Sequence, residues 1–355
     1  MNTNVYFIIS LTTFFLAGCT APEEEAPAFD FQNHPGAAVV GNNNVCAVYS
    51  DDTRTFNDDN PVPGGIQQYY FKESGISYIQ GSSITFVDDT GEIETQQDTF
   101  GLDPFFSPFN KLAGEDFNYQ TQLFATGQGI IVQQVTIHAE RELNTFVRWS
   151  LYTPSAPGKK RISATDILED GIYHRYDNEV ILAFAVTAVG SQYNFDDTAG
   201  IATVTTPLHL DANTDTTLTF FIAAGTSDTE VITKMFEAED NELFDKAYRY
   251  WNDWLEQTAT PDFPNEHYER IYIANLYTVY ASEFNGARQI QIPDTTGTSL
   301  AEKAQDYIID GDYEKGNQLI HTMMENSNSY GLIPEIDTGS EFIEALNMLL
   351  REKVI

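Results

Sequence analysis

The sequence is short of basic residues. Its 355 residues hold 18 Lys and Arg against 53 Asp and Glu, a formal net charge of -35. A surface of that sign repels phosphate backbones, so nucleic acid is excluded as a partner, and strongly anionic polysaccharides are disfavoured by the same field. Neutral substrates, metal cations and basic partners remain compatible with it. Such a surface also suits a salty exterior, where it is screened. Cysteine is scarce as well, with only Cys19 and Cys46. Cys46 lies in the apolar run Val45-Cys-Ala-Val-Tyr49, where core packing is its expected role. The six histidines, His34, His138, His174, His209, His267 and His321, are scattered, with no pair at helical ligand spacing. There is no phosphate loop, no Gly-x-Ser-x-Gly elbow and no Cys-x-x-Cys motif, so zinc, nucleotide and serine-hydrolase chemistry has no support. Asp211-Ala-Asn-Thr-Asp215 imitates the start of a calcium loop, but Thr216 stands where glycine is needed and Ile222 where glutamate is needed. The acidic pairs Asp51-Asp52 and Asp58-Asp59 are expected in solvated loops. No cofactor and no dedicated metal site is expected. What is present is the composition of a folded protein, 42% hydrophobic and 13% aromatic, which excludes collagen-like, coiled-coil and wholly disordered chains.

One long apolar run does occur, at the start. Val5 to Leu16 is almost continuously apolar, too short for a span of ~20 residues and of the length of a signal-peptide core. Leu16-Ala17-Gly18-Cys19 follows it and resembles the bacterial lipobox. That resemblance implies a lipoprotein signal peptide over residues 1–18, a diacylglyceryl group on the Cys19 thiol, and attachment to the membrane of the bacterial cell envelope through the lipid. Thr20 after the cysteine points to the outer membrane rather than retention at the inner one. No Lys or Arg precedes the run, and an ordinary secretory signal is the alternative. Residues 19–38 begin acidic and proline-bearing and read as a tether. With Cys19 lipidated, Cys46 has no disulfide partner.

From about Val39 to Ile232 the period is that of strands. Phe146-Val-Arg-Trp-Ser-Leu-Tyr152 alternates, with Val147, Trp149 and Leu151 on one face and Arg148 and Ser150 on the other. Gly129 to Ala139 and Leu218 to Ala224 are β-branched or aromatic runs, and Val180 to Val189 is apolar on both faces, as in a covered central strand. Asp88-Asp-Thr-Gly91, Asp196-Asp-Thr-Ala-Gly200 and Asp211-Ala-Asn-Thr-Asp215 punctuate the runs as turns. Nearly two hundred such residues predict a large antiparallel double-sheet domain over 39–232.

Near Ser227 the period changes. Leu243, Ala247, Trp251, Trp254 and Leu255 fall on one helical stripe, ended by Pro261 and Pro264. This predicts a linker helix within 233–261. Further helices are predicted over about 265–284, 299–310 and 313–326, and from about 340 onward, so that 262–355 reads as helical hairpins.

Several strings in this order resemble a known family. Val39-Val-Gly-Asn-Asn-Asn-Val-Cys-Ala-Val-Tyr49 is similar to the opening strand of the N-terminal supersandwich in six-hairpin glycosidases, with Asn43 in place of a glycine. Tyr250-Trp-Asn-Asp-Trp-Leu255 resembles their linker helix, and Gly311-Asp-Tyr-Glu-Lys315 with Tyr330-Gly-Leu-Ile-Pro334 resembles one of their hairpins. The resemblance, to glucoamylase-like glycoside hydrolases, implies an α+β multidomain chain: a large antiparallel β-supersandwich, a linker helix and an α/α-toroid. It also implies hydrolysis of neutral, α-linked oligosaccharides by two carboxyl groups, one protonating the leaving oxygen and one activating water. A toroid of twelve helices of ~12 residues with short loops needs at least ~200 residues. Only 94 of the 355 follow Pro261. The helical region is therefore expected to be an incomplete toroid and the chain the N-terminal part of such an enzyme, with the catalytic carboxylates unassigned in it. The stripe Phe342, Ile343, Leu346, Leu349 and Leu350 is then expected to lack neighbours.

Arg288 and Asp294, in the loop after the first hairpin helix, are the candidates for hydrogen-bonding sugar hydroxyls, with an ordinary exposed loop pair as the alternative. Trp149, Trp251 and Trp254 have the chemistry to stack on sugar rings, but their place on apolar stripes predicts core packing. A non-catalytic, glycan-binding or structural lipoprotein is the other functional class these features allow.

Overall fold

The computed structural model describes residues 37–351 except 43, 57–59, 72–75, 104–106, 154–160, 240–241, 259–262, 264–265, 285–286, 289–299, 310 and 326–338. The expected signal peptide, Cys19 and most of the expected tether lie outside the described residues.

The alternating segments form antiparallel strands, arranged in sheets of four, eight and five strands and a two-stranded hairpin. The four-stranded sheet takes β1 (Ala37–Gly41), β2 (Val45–Phe56), β3 (Asn60–Phe71) and β4 (Ser77–Ile79), in that order. The five-stranded sheet takes β5 (Ser82–Asp88), β6 (Gly91–Ile93), β11 (Leu143–Tyr152), β15 (Gln192–Asp196) and β16 (Ile201–Leu210). Its spatial order is β15-β16-β11-β5-β6. The eight-stranded sheet takes β7 (Gln96–Leu102), β8 (Pro108–Ala113), β9 (Phe117–Ala125), β10 (Ile130–Ala139), β12 (Ile162–Ile167), β13 (Ile172–Tyr176), β14 (Ile181–Val186) and β17 (Thr214–Gly225). They lie in the order β12-β13-β14-β17-β10-β9-β8-β7.

The main core lies between these sheets. Val147, Trp149 and Leu151 of β11 are fully buried, as their alternation predicts. Trp149 packs on Phe220 of β17 with ring centroids 5.4 Å apart, and its Nε1 donates to Gln133 Oε1 of β10 at 3.0 Å. Each such buried apolar side chain contributes ~1.5–3 kcal/mol, and the indole N–H is not left unsatisfied. Tyr78 of β4 meets Tyr176 of β13 edge-on at 4.9 Å, which brings the small sheet onto the same core. Strand β14 is apolar on both faces because Leu182 and Phe184 face this core while Ile181, Ala183 and Ala185 face a second one. The strand ends at Val186, and Val189, expected to continue it, is 97% exposed in the turn before Gly190 (φ 83°).

The outer face of the eight-stranded sheet is divided in two. Its apolar half, with Phe124, Val132 and Phe221 in register, is covered by α1 (Asp228–Ala238) and α2 (Leu243–Gln257). Its other half carries three polar rows across β9, β10 and β17: Gln122, Gln134 and Thr219, then Gln120, Thr136 and Thr217, then Asn118, His138 and Asp215. Helix α1 has no counterpart among the expected helices. It starts where the period changes, with Ser227 Oγ accepting from the Glu230 N–H at 3.3 Å as its N-cap. Only Val231, Met235 and Ala238 of its 11 residues are buried, too short a stripe to stand out in sequence.

The remaining helices are α3 (Glu266–Ser282), α4 (Leu300–Ile309), α5 (Tyr313–Glu325) and α6 (Gly339–Arg351), each within a few residues of expectation. The string Gly311-Asp-Tyr-Glu-Lys315 is the α4–α5 turn. Gly311 takes φ 81° and its N–H donates to Ile308 O, ending α4. Asp312 opens α5 by accepting from the Lys315 N–H and from Lys315 Nζ at 2.6 Å, contacts that hold its carboxyl below the usual carboxylate range. Phe342, Ile343, Leu346 and Leu349 of α6 are buried, against the expectation that they lack neighbours: α3, α4 and α5 supply them, and all belong to the main core. The side chain of Leu350 is outside the described residues.

Candidate functional site

The joint between sandwich and helices is built on the β1–β2 turn. Asn42 is buried there, and its side-chain amide uses both ends. Nδ2 donates to Thr126 O at 2.8 Å and Gly127 O at 3.1 Å in the β9–β10 turn, while Oδ1 accepts from the N–H groups of Asn44 and Val45 at 3.2 and 3.3 Å. Gly41 beside it has no room for a Cβ, which would press on the backbone carbonyls of Val45 and Ala281. That absence lets the C-terminal turn of α3 sit directly on β1. The Gly41 N–H donates to the Tyr277 hydroxyl at 3.5 Å, and burial pushes the Tyr277 phenol up. So Gly41 seats α3 on β1, and Asn42 braces the β1–β2 turn beneath it against the β9–β10 turn.

Helix α2 is locked to the same place. Trp251 is buried, its Nε1 donating to Ala125 O at 2.9 Å, and its ring lies 4.6 Å from Tyr277 and 5.8 Å from Trp254. Trp149 and Trp251 are thus core residues with satisfied indole N–H groups, as their stripes predict. Trp254 is half-buried, packed against Tyr280 at 5.4 Å. Lower on α3, Arg270 Nη2 donates to Leu102 O at 2.8 Å, at the start of the β7–β8 turn. Asp103 of that turn accepts from the Ser107 N–H at 2.9 Å and from Gln122 Nε2 at 2.6 Å. Sequence reasoning did not single out Asn42, Arg270 or Tyr277. Asn42 sits inside the string Val39–Tyr49; Arg270 and Tyr277 have no local signal, because their partners are backbone groups 168 and 236 residues away.

This joint fixes where α3 ends, and with it the segment that carries the two candidate residues. Strands β18 (Glu283–Phe284) and β19 (Ala287–Arg288) pair immediately after α3, with Arg288 opposite Glu283. The backbone of Arg288 therefore lies in a hairpin at the helix end. Its side chain and the whole of Asp294 are outside the described residues, so the two are not seen together. Among the described residues no three His, Cys, Asp or Glu side chains converge as for a metal ion. No described helix is long and apolar enough to cross a membrane. The joint can position a rim; none of its groups is assigned as a proton donor, base or nucleophile.

No protein-family model matches the sequence, and no curated protein matches it. Solved structures do. One is a protein assigned as a kojibiose phosphorylase from the human microbiome, with a TM-score of 0.51 and 12% identity over 72% of this chain and 41% of that one. Another is a bacterial glucoamylase complexed with acarbose, with a TM-score of 0.50 and 11% identity over 90% of this chain and 54% of that one. The chain therefore has a glycosidase-like fold, and it spans about half the length of each of these structures.

Proposed function

We propose that the protein is carbohydrate-active and that its 355 residues are the N-terminal part of a glycoside hydrolase for neutral, α-linked oligosaccharides. The likeness of fold to both structures above, over 72% and 90% of this chain and spanning its sandwich-then-helices order, supports the reading. The charge of -35 supports a neutral rather than an anionic substrate. Hydrolysis of such substrates needs a carboxylic acid and a carboxylate on opposite sides of the scissile bond. In this reading the pair lies beyond these 355 residues, while the hairpin after α3, with Arg288 and Asp294, forms part of the substrate rim. Lipidation of Cys19 would hold the protein at the bacterial envelope, facing its substrate outside the cytoplasm.

Burial of Phe342, Leu346 and Leu349 favours a second reading, in which the sandwich and helices bind glycan without catalysis, because the helices already find partners within this chain. Calorimetric titration with maltotriose and kojibiose, alongside assays of hydrolysis and phosphorolysis, tests both. Binding without turnover is the expected result for residues 1–355. No binding of any neutral saccharide would overturn the carbohydrate reading. Turnover abolished by one carboxylate substitution within residues 30–355 would overturn the placement of the catalytic pair.

A further inference from the structure

We propose that the open polar half of the outer face of the eight-stranded sheet is a binding surface for a neutral polysaccharide chain, centred on Gln120, Gln134, Thr136 and Thr217. The proposal deepens the carbohydrate reading above and rests on it. Its first support is charge. On a protein with 53 acidic residues, the nine positions of the three polar rows include one carboxylate, Asp215, 2.7 Å from His138 Nδ1; at the border Gln122 donates to Asp103 at 2.6 Å and Lys111 of β8 stands opposite Gln120. A neutral polymer lying here desolvates mainly amides and hydroxyls, which cost less to dehydrate than carboxylates and can both donate to and accept from the hydroxyl groups of a sugar. Anionic chains, by contrast, would meet the field of the whole molecule.

The second support is the set of donors and acceptors. Among the described residues, nothing engages the side-chain amides of Asn118, Gln120 and Gln134, so each presents two N–H donors and a carbonyl acceptor outward. The Thr136 and Thr217 hydroxyls lie 3.2 Å apart between them and are exposed. Sugar hydroxyls both donate and accept, and mixed amide–hydroxyl rows match that duality.

The third support is order. Neighbouring strands hold these groups ~4.8 Å apart across the sheet, and alternate residues stand ~6.7 Å apart along it. The backbone therefore holds the rows at fixed spacing, while the unengaged Gln and Asn side chains become ordered on binding. Phe109, half-buried on β8 opposite Gln122 with Lys111 Nζ 5.9 Å from its ring centroid, borders the rows with an aromatic side chain. The surface is a sheet face without walls, so several sugar units must touch it together. This selects a polymer over a disaccharide.

Affinity electrophoresis of the full chain in gels containing pullulan, dextran or galactomannan tests the proposal, with heparin as the anionic control. Retardation by at least one neutral polymer is expected, reduced at least tenfold in affinity by the double variant Gln120→Ala and Gln134→Ala and by Thr217→Glu. All three positions lie at the surface or half-buried on the outer face, so melting temperatures should stay unchanged and report intact folding. Unchanged retardation of both variants overturns the surface. Absence of retardation while maltotriose or kojibiose still binds overturns the surface and leaves the carbohydrate reading standing. Absence of binding to every neutral saccharide, short or long, overturns both.

Discussion

Asn42 offers the sharpest perturbation of the joint that sets α3 on the sandwich. Its side chain makes four hydrogen bonds from a position 1% exposed: two donated to Thr126 O and Gly127 O, two accepted from Asn44 and Val45 N–H groups. Asn42→Ala removes all four and leaves the buried Val45 N–H without that acceptor. At about 1 kcal/mol net per bond, and more for a buried group left unpaired, the loss is at least about 4 kcal/mol. For a domain of this size that lowers Tm by about 8–16 °C. Asn42→Asp carries a pH signature besides. Its new carboxylate oxygen would face the Thr126 and Gly127 carbonyls, so the folded state favours the protonated acid, and the folded pKa rises above the unfolded value of about 3.9. Between those two values the folded state binds more protons than the unfolded one, so stability falls as pH rises and then levels off. Thermal melts of the three proteins from pH 3.5 to 8 read both effects. An Asn42→Ala protein within about 1 kcal/mol of wild type, or an Asn42→Asp protein with the wild-type pH profile, would refute the brace.

Other consequences follow from single buried groups. Burial pushes the His174 imidazole down from 6.5 to about 4, between the hydroxyls of Thr165 at 2.9 Å and Thr153 at 3.3 Å. The unfolded chain binds the extra proton first on acidification, so stability present above about pH 6.5 is lost as pH falls towards about 4, by up to about 3 kcal/mol. Replacing His174 with Gln should flatten that part of the profile, and an unchanged slope would assign the loss to other groups. Cys46 is fully buried and burial raises its thiol well above the ordinary range, so iodoacetamide should leave it unmodified in the native protein and react only after denaturation. Mass spectrometry of the mature N-terminus should find a lipidated Cys19; an unmodified N-terminus cut elsewhere would remove the anchor.

The sheets and most helices were legible because they depend on local period. The alternation around Trp149 and the stripes of α2 to α6 each repeat often enough to identify an element and its buried face. Helix α1 is not legible in the sequence because it buries a narrow stripe against a sheet that is itself the larger signal. The division of the outer sheet face was hidden for another reason. Gln120, Thr136 and Thr217 become neighbours only through strand pairing, and nothing within β9, β10 or β17 alone marks them. The α6 stripe does not need further hairpins to cover it: Ile271 and Tyr272 of α3, Ala304 and Ile308 of α4 and Met323 of α5 share its core, contacts that no local period reveals. Arg288 lies in β19 after the first hairpin helix, but its role depends on a side chain beyond what pairing of β18 and β19 defines.

The central claim is a carbohydrate-active protein with a preference set by charge. A glycan array carrying neutral α-linked oligosaccharides and neutral polysaccharides beside sulfated and uronic-acid glycans, probed with the full chain at physiological salt, tests it most directly. Signal confined to neutral glycans, and little changed by added salt, is the predicted result. Signal on the anionic glycans alone, or on none, would contradict the account.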